Sequence, residues 1–293
     1  MSQSNDSPPI DRSFVRIADG LMHLRHAGQS SAEPPLWMMH AAPASSRSLE
    51  PLLAALAARR RVIAPDTPGY GDSAALSASD PALTDYATAM LRMLDALGID
   101  TVDLYGFHTG AHIAVEMALA APQRVRRVVL DGLLVLDDAE REEFLAHYAP
   151  PVQPDAAGLQ FAWAVNYIRD QAWFFPHFRR DAAHNLGQGA MSAEVLHYLV
   201  TELLKAVGTY HLGYRAVFRH RVVERVAALS QPTLLTADAS DPTRAGLREL
   251  VAACPRLHCD LLQTSTDPAR TPGKAQRIDA FLLSPPAPPG SRT

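Results

Sequence analysis

The chain has 293 residues, of which 47% are hydrophobic and 20% charged, with a net charge of -4. This composition is that of a globular protein long enough for one large domain with an insertion. The mildly negative charge argues against nucleic acid as the main partner, and no apolar run is long enough to predict a membrane span. The polar N-terminus predicts no signal peptide. Cys254 and Cys259 imply no disulfide framework, so we expect a cytoplasmic protein.

Strand-like and helix-like segments alternate along most of the chain. The predicted strands cover residues 13–18, 21–26, 36–40, 61–66, 101–106, 124–136, 232–238 and 256–263. The predicted helices cover residues 49–60, 82–98, 110–120 and 274–283. Strands that alternate with helices of this length indicate an α/β fold with a mostly parallel sheet and helices on both faces.

The stretch "VDLYGFHTGAHIAVEMA" at residues 102–118 has an unusual centre. An apolar strand leads to Gly106, and a helix of small residues leaves from Gly110. This is the strand–turn–helix frame of G-x-S-x-G, the turn that normally presents a nucleophilic serine. Here His108 stands in the serine position.

Residues 134–222 interrupt the alternation. They are helical in pattern and contain most of the chain's aromatic residues. An aromatic insertion between two sheet strands predicts a helical cap over a pocket, since pockets are mostly apolar with a few polar groups. The sequence therefore predicts a core over 1–133 and 223–293 and a cap over 134–222.

Three further segments complete a resemblance to the α/β-hydrolase superfamily, in particular its capped branch of haloalkane dehalogenases, epoxide hydrolases and C–C bond hydrolases. "MMHAAP" resembles the family's oxyanion segment, with Ala41 where glycine is usual. "RVIAPDTPGYGDSA" resembles the next strand and loop, and "PTLLTADASDPT" resembles the strand that ends in the triad acid. The resemblance implies an α/β-hydrolase fold with an inserted cap, and it makes Asp241 the acid.

The catalytic residues depart from the family pattern. The elbow lacks its serine, and the final histidine, His258, lies at the start of the last strand instead of after it. The loop that should hold the base reads "TSTDPARTPGK". A serine triad therefore cannot operate, and the dehalogenase and epoxide-hydrolase versions also fail because they need a carboxylate at the elbow.

His108 has three chemical roles open to it. As a general base it can activate a water against a bound carbonyl, or take a proton from the substrate in lyase or isomerase chemistry. As a nucleophile it can form a labile acyl-imidazole. We expect the helix N-terminus to keep the ring neutral, with a pKa at or below about 6.5. The amides of Ala42 and Thr109 are the predicted oxyanion hole.

Two carboxylates can orient such a base. Asp241 is the acid that the resemblance implies, and Asp131, at the end of the strand beside the elbow, is the alternative. Each also has a structural interpretation, since aspartate before proline is a common start for a helix, as in Asp241-Pro242. Both are kept as candidate catalytic residues with His108.

Other residues are weaker candidates. His108 and His112 have the spacing of zinc-binding helices, but no carboxylate accompanies them, so no metal or cofactor is expected. Cap histidines, among them His184 and His211, can supply a second acid or base. Arginines next to aromatic residues favour an anionic or aromatic substrate weakly: Arg169, Arg179 and Arg180. The candidate substrate-binding residues are His40, Trp163, Trp173, Phe174 and His177.

The sequence thus predicts an enzyme that hydrolyses a small, apolar carbonyl compound with His108 as base. Lyase or isomerase chemistry at the same site is the alternative, and a non-catalytic binding protein on a hydrolase scaffold is the rival from another class. The expected partner is a small-molecule substrate, with neither nucleic acid nor membrane. The sequence leaves the oligomeric state open, a homodimer included.

Overall fold

A computed structural model describes residues 8–254, 257–259 and 271–284 of the chain. Two of the sequence predictions fall outside these ranges. They are the end of the last predicted strand and most of the following loop, in which the sequence places no histidine. Everything below concerns the described residues.

One mixed sheet forms the centre of the protein. Its strands are β1 (Asp11–Ile17), β2 (Gly20–Ala27), β3 (Leu36–Met39), β4 (Val62–Pro65), β5 (Val102–Phe107), β6 (Val125–Asp131), β7 (Thr233–Thr236) and β8 (His258–Cys259). Their order across the sheet is β1-β2-β4-β3-β5-β6-β7-β8. The first two strands pair antiparallel and β2 pairs antiparallel with β4, whereas the remaining strands run parallel. The predicted α/β class and mostly parallel sheet are confirmed.

Burial separates the edge of the sheet from its middle. Every residue of β3, β4 and β7 is buried, whereas β1 alternates between exposed and partly buried positions. The sequence of a parallel strand that is covered on both faces is a continuous apolar run. The sequence of an edge strand with one face in solvent alternates between apolar and polar residues. This is why "LWMM" and "TLLT" could be recognised as central strands from sequence.

Ten α-helices surround or cap the sheet within the described residues. They are α1 (Glu50–Ala57), α2 (Leu83–Ala96), α3 (Thr109–Ala120), α4 (Asp138–His147), α5 (Leu159–Trp173), α6 (Ala193–Lys205), α7 (Tyr210–Phe218), α8 (Val222–Ala227), α9 (Arg244–Ala253) and α10 (Thr271–Leu283). One apolar cluster includes α2, α3 and the cap, and a second, on the other face, includes α1 and α10. The two clusters give the layered arrangement that the alternation predicts.

Helices α4 to α7 lie between β6 and β7, within the predicted insertion. Hydrogen bonds to the loop after β4 hold this cap to the core. The Tyr70 hydroxyl donates to the Tyr210 carbonyl at 2.7 Å, and the Thr209 hydroxyl donates to the Gly69 carbonyl at 2.5 Å. The cap therefore rests on the same edge of the sheet as the elbow, since both follow the carboxyl ends of parallel strands.

None of the described helices is both long and apolar enough to cross a membrane.

Candidate functional site

His108 sits on the turn between β5 and α3 in a conformation that side chains rarely adopt. Its backbone has φ 48° and ψ -112°, and among the described residues it is the one non-glycine with a positive φ. Such a conformation costs on the order of 1–3 kcal/mol and persists only where the surroundings impose it. The predicted strand–turn–helix frame is present, with an imidazole at its apex.

Two glycines make room for this turn. A side chain on Gly110 would lie 2.2 Å from the Met39 carbonyl oxygen, so α3 could not pack as closely against β3. A side chain on Gly132, where φ is 72°, would lie 2.2 Å from Cδ2 of His108. The backbone after β6 therefore runs directly beside the imidazole, and only glycine leaves that space open.

The imidazole of His108 contacts the acid expected from the loop after β7. Its Nε2 lies 2.6 Å from Oδ2 of Asp241. The other oxygen of Asp241 accepts hydrogen bonds from the amide and hydroxyl of Thr243, at 2.9 and 2.7 Å. Burial acts to raise the pKa of Asp241, but His108 and these hydrogen bonds outweigh it and hold the pKa at about 2.

An ionised Asp241 fixes the tautomer of His108. A carboxylate can only accept, so Nε2 carries the hydrogen and Nδ1 is the basic nitrogen. Burial acts to lower the pKa of His108, yet Asp241 and Asp131 outweigh it, and the net pKa is raised above 6.5. The expectation of a pKa at or below 6.5 was wrong, because the helix N-terminus is a weaker influence than two carboxylates.

The predicted oxyanion-hole residues lie together beside the elbow. Ala42 and Thr109 both line the cavity, and the Ala42 amide donates to the Thr109 hydroxyl at 3.2 Å. Thr109 is the first residue of α3, and amides in a first helical turn have no acceptor inside the helix. The two backbone donors are therefore close to each other, with the Thr109 hydroxyl next to the Ala42 amide.

Asp131 lies at the end of β6, and its carbonyl accepts from the His108 amide at 2.9 Å, but its side chain is not bonded to the His108 ring. Its Oδ2 accepts from the Tyr105 hydroxyl at 2.6 Å and pairs with the ammonium of Lys274. Burial, together with Asp131, raises the pKa of Tyr105 well above 10, so this hydroxyl stays a donor. Sequence reasoning missed Lys274, because no local pattern connects the first turn of α10 with the end of β6.

His112 follows one turn after His108 and is fully engaged. Its Nε2 accepts from the Leu134 amide at 3.3 Å, and its Nδ1 lies 2.9 Å from Nδ1 of His220. His220 in turn contacts Glu116 at 2.7 Å. Burial holds the pKa of His112 well below 6.5. His108 and His112 thus turn their nitrogens to different partners and do not form a shared metal site.

A cavity of about 420 Å³ opens between the elbow and the cap. The core contributes the oxyanion segment, the elbow, the ends of β6 and β7, and Lys274. The cap contributes a mostly apolar wall with two amides: Tyr148, Ile168, Gln171, Ala172, Phe175, Leu186, Gln188, Met191, Leu199, Tyr214, Val217 and Phe218. A cap therefore covers the elbow, although with other side chains than those predicted.

His40, predicted to bind substrate, is a structural residue. It is buried and does not line the cavity. Its Nδ1 lies 2.9 Å from the Ala41 carbonyl and its Nε2 accepts from the Thr67 amide at 2.9 Å. Burial lowers its pKa. Both ring nitrogens are used to join two backbone loops, so none remains for a ligand.

The four cap residues predicted to bind substrate also lie outside the cavity lining. His177 is buried between the rings of Tyr148 and Tyr167 and lies 2.8 Å from the Tyr148 carbonyl. Trp163 packs against Tyr167 and Tyr210 inside the cap. The other two lie at the end of α5. The Trp173 ring lies beneath the guanidinium of Arg169, and the backbone of Phe174 forms a β-bridge with Asn185. The neighbouring ring, Phe175, is the one that reaches the cavity.

The remaining candidates are paired elsewhere. Ion pairs join Arg179 to Glu143 and Arg180 to Asp170, and Arg169 donates to Asn166. None of these arginines lines the cavity. They therefore give no support to the prediction of an anionic substrate. His184 pairs with Asp181 on the surface, and His211 is likewise outside the cavity lining.

A group of possible metal ligands lies outside the cavity, around the loop after β4. His23, Asp66 and Asp72 place ligand atoms within 4.8 Å of one another. However, Arg12 donates to both His23 and Asp72, and Lys205 binds Asp72 as well. Two cationic side chains already occupy the positions from which a metal ion would approach, so the cluster is an ion-pair network.

The family match agrees with this geometry. The family model for the alpha/beta hydrolase fold matches residues 34–261, more than half of the chain. The chain belongs to the alpha/beta hydrolase fold family. The predicted resemblance is thereby confirmed at the level of the family.

Curated relatives in this family are named as hydrolases. The chain is 36% identical over 129 residues to a 2-hydroxy-6-oxononadienedioate/2-hydroxy-6-oxononatrienedioate hydrolase of Pseudomonas putida, covering 41% of this chain and 44% of that protein. It is 30% identical over 201 residues to a putative carbamate hydrolase of Azorhizobium caulinodans, covering 65% and 67%. The chain thus aligns with less than half the length of the first of these relatives.

Solved structures support the fold independently. The enol-lactonase from Burkholderia xenovorans matches with a TM-score of 0.70 at 19% identity, covering 93% of this chain and all of that one. An epoxide hydrolase from an endophytic Streptomyces matches with a TM-score of 0.70 at 21% identity, covering 94% and 97%. At these identities the likeness concerns the fold alone.

Proposed function

We propose that this protein hydrolyses a small, neutral carbonyl compound with His108 as general base and without a cofactor. The observation that carries the proposal is the contact between Nε2 of His108 and Asp241 at 2.6 Å. In a serine triad the acid orients a histidine that comes from another loop. Here the acid orients the elbow residue itself, so the elbow holds a base instead of a nucleophile.

The reaction follows from the positions of the donors and the base. A substrate carbonyl oxygen that takes the place of the Thr109 hydroxyl at the Ala42 amide and also accepts from the Thr109 amide would gain stabilisation as it becomes an oxyanion. Nδ1 of His108 takes a proton from a water, and the resulting hydroxide attacks the carbonyl carbon. When the tetrahedral intermediate collapses, the imidazolium returns this proton to the leaving group. Asp241 stabilises the imidazolium throughout.

The cavity supports an uncharged substrate. Three carboxylates line it, those of Asp131, Asp238 and Asp241. Among the described lining residues Lys274 is the one lysine or arginine, and it already pairs with Asp131. A substrate carboxylate would therefore meet an excess of negative charge, and like charges disfavour binding. For this reason the dioate in the name of the Pseudomonas putida relative is not proposed for this chain.

The test is a comparison of wild type and His108→Ala on neutral 4-nitrophenyl esters, lactones and β-diketones. We expect turnover to fall by about 10²–10⁴-fold in the variant, the usual contribution of a general base. Because the base is the neutral ring and its pKa is raised above 6.5, wild-type kcat/KM should be low in acid and rise with pH to a plateau above neutrality. His184→Ala, which removes a surface histidine of the cap, is the matched control.

Each alternative predicts a different result. Isomerised or cleaved products without incorporation of solvent oxygen would point to lyase or isomerase chemistry at the same base. A trapped acyl-imidazole on His108, seen as a mass increase, would make it the nucleophile. If the wild type binds members of the panel but never converts them, the protein is a binder and the proposal fails.

A further inference from the structure

Two carboxylates flank His108, but only one of them faces a nitrogen of the ring. Asp241 accepts from Nε2, whereas Asp131 precedes Gly132, whose backbone lies against the ring. Two nearby acids create a competition, because an imidazolium is attracted to both. The structure shows how the second acid is kept apart.

Asp131 is a buried carboxylate, with 1% of its side chain exposed. Its Oδ2 binds the Tyr105 hydroxyl and Lys274, while its Oδ1 has no hydrogen-bond partner in the described part of the chain. A neutral hydroxyl cannot balance the charge of a buried carboxylate, and an unbalanced charge in this position is costly. Asp131 therefore depends on Lys274 as its counter-ion.

Lys274 reaches this position from the first turn of α10. Its side chain is 16% exposed, and its ammonium lies 5.3 Å from the ring centre of Phe107. The Phe107 ring stacks on His108 at 4.1 Å. Lysine, phenylalanine and histidine thus lie next to one another in the lining of the cavity.

We propose that Lys274 is a positioning residue that neutralises Asp131, so that Asp241 is the one carboxylate that pairs with the His108 imidazolium. Without the ammonium, the other group of the described cavity lining that can balance Asp131 is the His108 imidazolium, on which the charge of Asp131 already acts. The ring would then be held in its protonated form between two carboxylates and would be a poorer base at neutral pH. The catalytic consequence rests on the proposed function, but the titration of His108 does not.

The titratable groups around His108 come from four elements. Asp238 and Asp241 come from the segment after β7, Asp131 from β6, Lys274 from α10, and His112, whose pKa burial lowers well below 6.5, from α3. Burial acts to lower the pKa of His108, the two carboxylates raise it, and Lys274 lowers it. The direction of the effect of Lys274 agrees with the role that its contacts assign to it.

The experiment is an NMR titration of the His108 ring nitrogens in the full-length protein and its variants. In Lys274→Met the midpoint should rise by about one pH unit, the scale of a lost charge at this distance. Lys274→Arg should stay within a few tenths of wild type. The double variant Lys274→Met/Asp131→Asn removes both charges and should return the midpoint towards wild type. The control is Lys205→Met, the chain's other lysine, which pairs with Asp72 at the surface.

Two results would overturn the proposal. One is an unchanged His108 midpoint in a folded Lys274→Met protein. The other is a midpoint that rises equally in the single and double variants, since Asp131 would then not be involved. Should Lys274→Met fail to fold, Asp131→Asn alone carries the test, because the unpaired ammonium should lower the midpoint. A protein that shows these shifts but converts no substrate would disprove the proposed function and leave this proposal standing.

Discussion

Two histidines one helical turn apart, the partly buried His108 and the buried His112, have opposite properties in this protein. His108 uses one nitrogen on a carboxylate and keeps the other available in the cavity, and its pKa is raised. His112 uses both nitrogens within the protein, and burial lowers its pKa well below 6.5. Burial acts on both rings in the same direction, so the difference comes from the partner. A carboxylate partner raises the pKa of one histidine, whereas a backbone amide and a second imidazole leave burial to lower the pKa of the other.

Removing the carboxylate of Asp241 should remove most of the difference in pKa between His108 and His112. In Asp241→Asn we expect kcat at neutral pH to fall by roughly 10²-fold, because Asn can turn its own N–H to the ring and favour the wrong tautomer. The remaining activity should have its acid limb at lower pH than in wild type, since the main contribution that raises the pKa of His108 is gone. Steady-state pH profiles on the best neutral ester measure both effects.

An equal loss of activity with an unmoved acid limb would contradict this reasoning. It would mean that Asp241 matters only for the shape of the loop, through its hydrogen bonds to Thr243. Thr243→Val is the control for that case, because it removes the hydroxyl contact to Asp241 and leaves the contact between Asp241 and His108 in place.

The contrast between the two histidines also marks where sequence prediction succeeded and where it stopped. The central strands and the elbow frame are local patterns of apolar runs, glycines and turn residues, which a single sequence carries. The position of Asp241 came with the family's strand–loop spacing. Lys274 and the cavity-lining face of the cap depend on how distant helices pack, and no periodicity reports that.

The cap shows the same limit in another form. Its aromatic content predicted a helical insertion, and helices α4 to α7 lie there. Of the named residues, Trp163 and His177 pack inside the cap, whereas Trp173 and Phe174 lie at the end of α5, and Phe175 lines the cavity where Phe174 does not. Adjacent residues at a helix end point in different directions, so a shift of one position changes the surface that a ring covers. The expected pKa of His108 was wrong for a related reason. This pKa depends on Asp241 and Asp131, which come from other elements of the fold.

His112 should matter for stability and much less for turnover. His112→Leu leaves the Leu134 amide and the His220 nitrogen buried without their partner. Each such loss costs about 1–3 kcal/mol, so we expect the free energy of unfolding to fall by about 2–6 kcal/mol. Chemical denaturation of wild type and variant measures it. A stable variant that has lost turnover as completely as His108→Ala would show that His112 takes part in the chemistry.

The smallest expected effect is that of His108→Ser, for which we expect no gain of serine-type activity. His108→Ser restores the family's elbow sequence, yet we expect no burst of acyl-enzyme on 4-nitrophenyl esters and no labelling by a fluorophosphonate probe. A serine hydroxyl is a poor nucleophile at neutral pH unless an adjacent base takes its proton. Among the described cavity-lining residues the only remaining histidine is His112, whose two nitrogens are occupied. Asp241 is too weak a base to substitute, since the ordinary pKa of an aspartic acid is near 3.9. Labelling of Ser at this position in the single variant would mean that another base reaches the elbow, and His108 would no longer be the only base of the site.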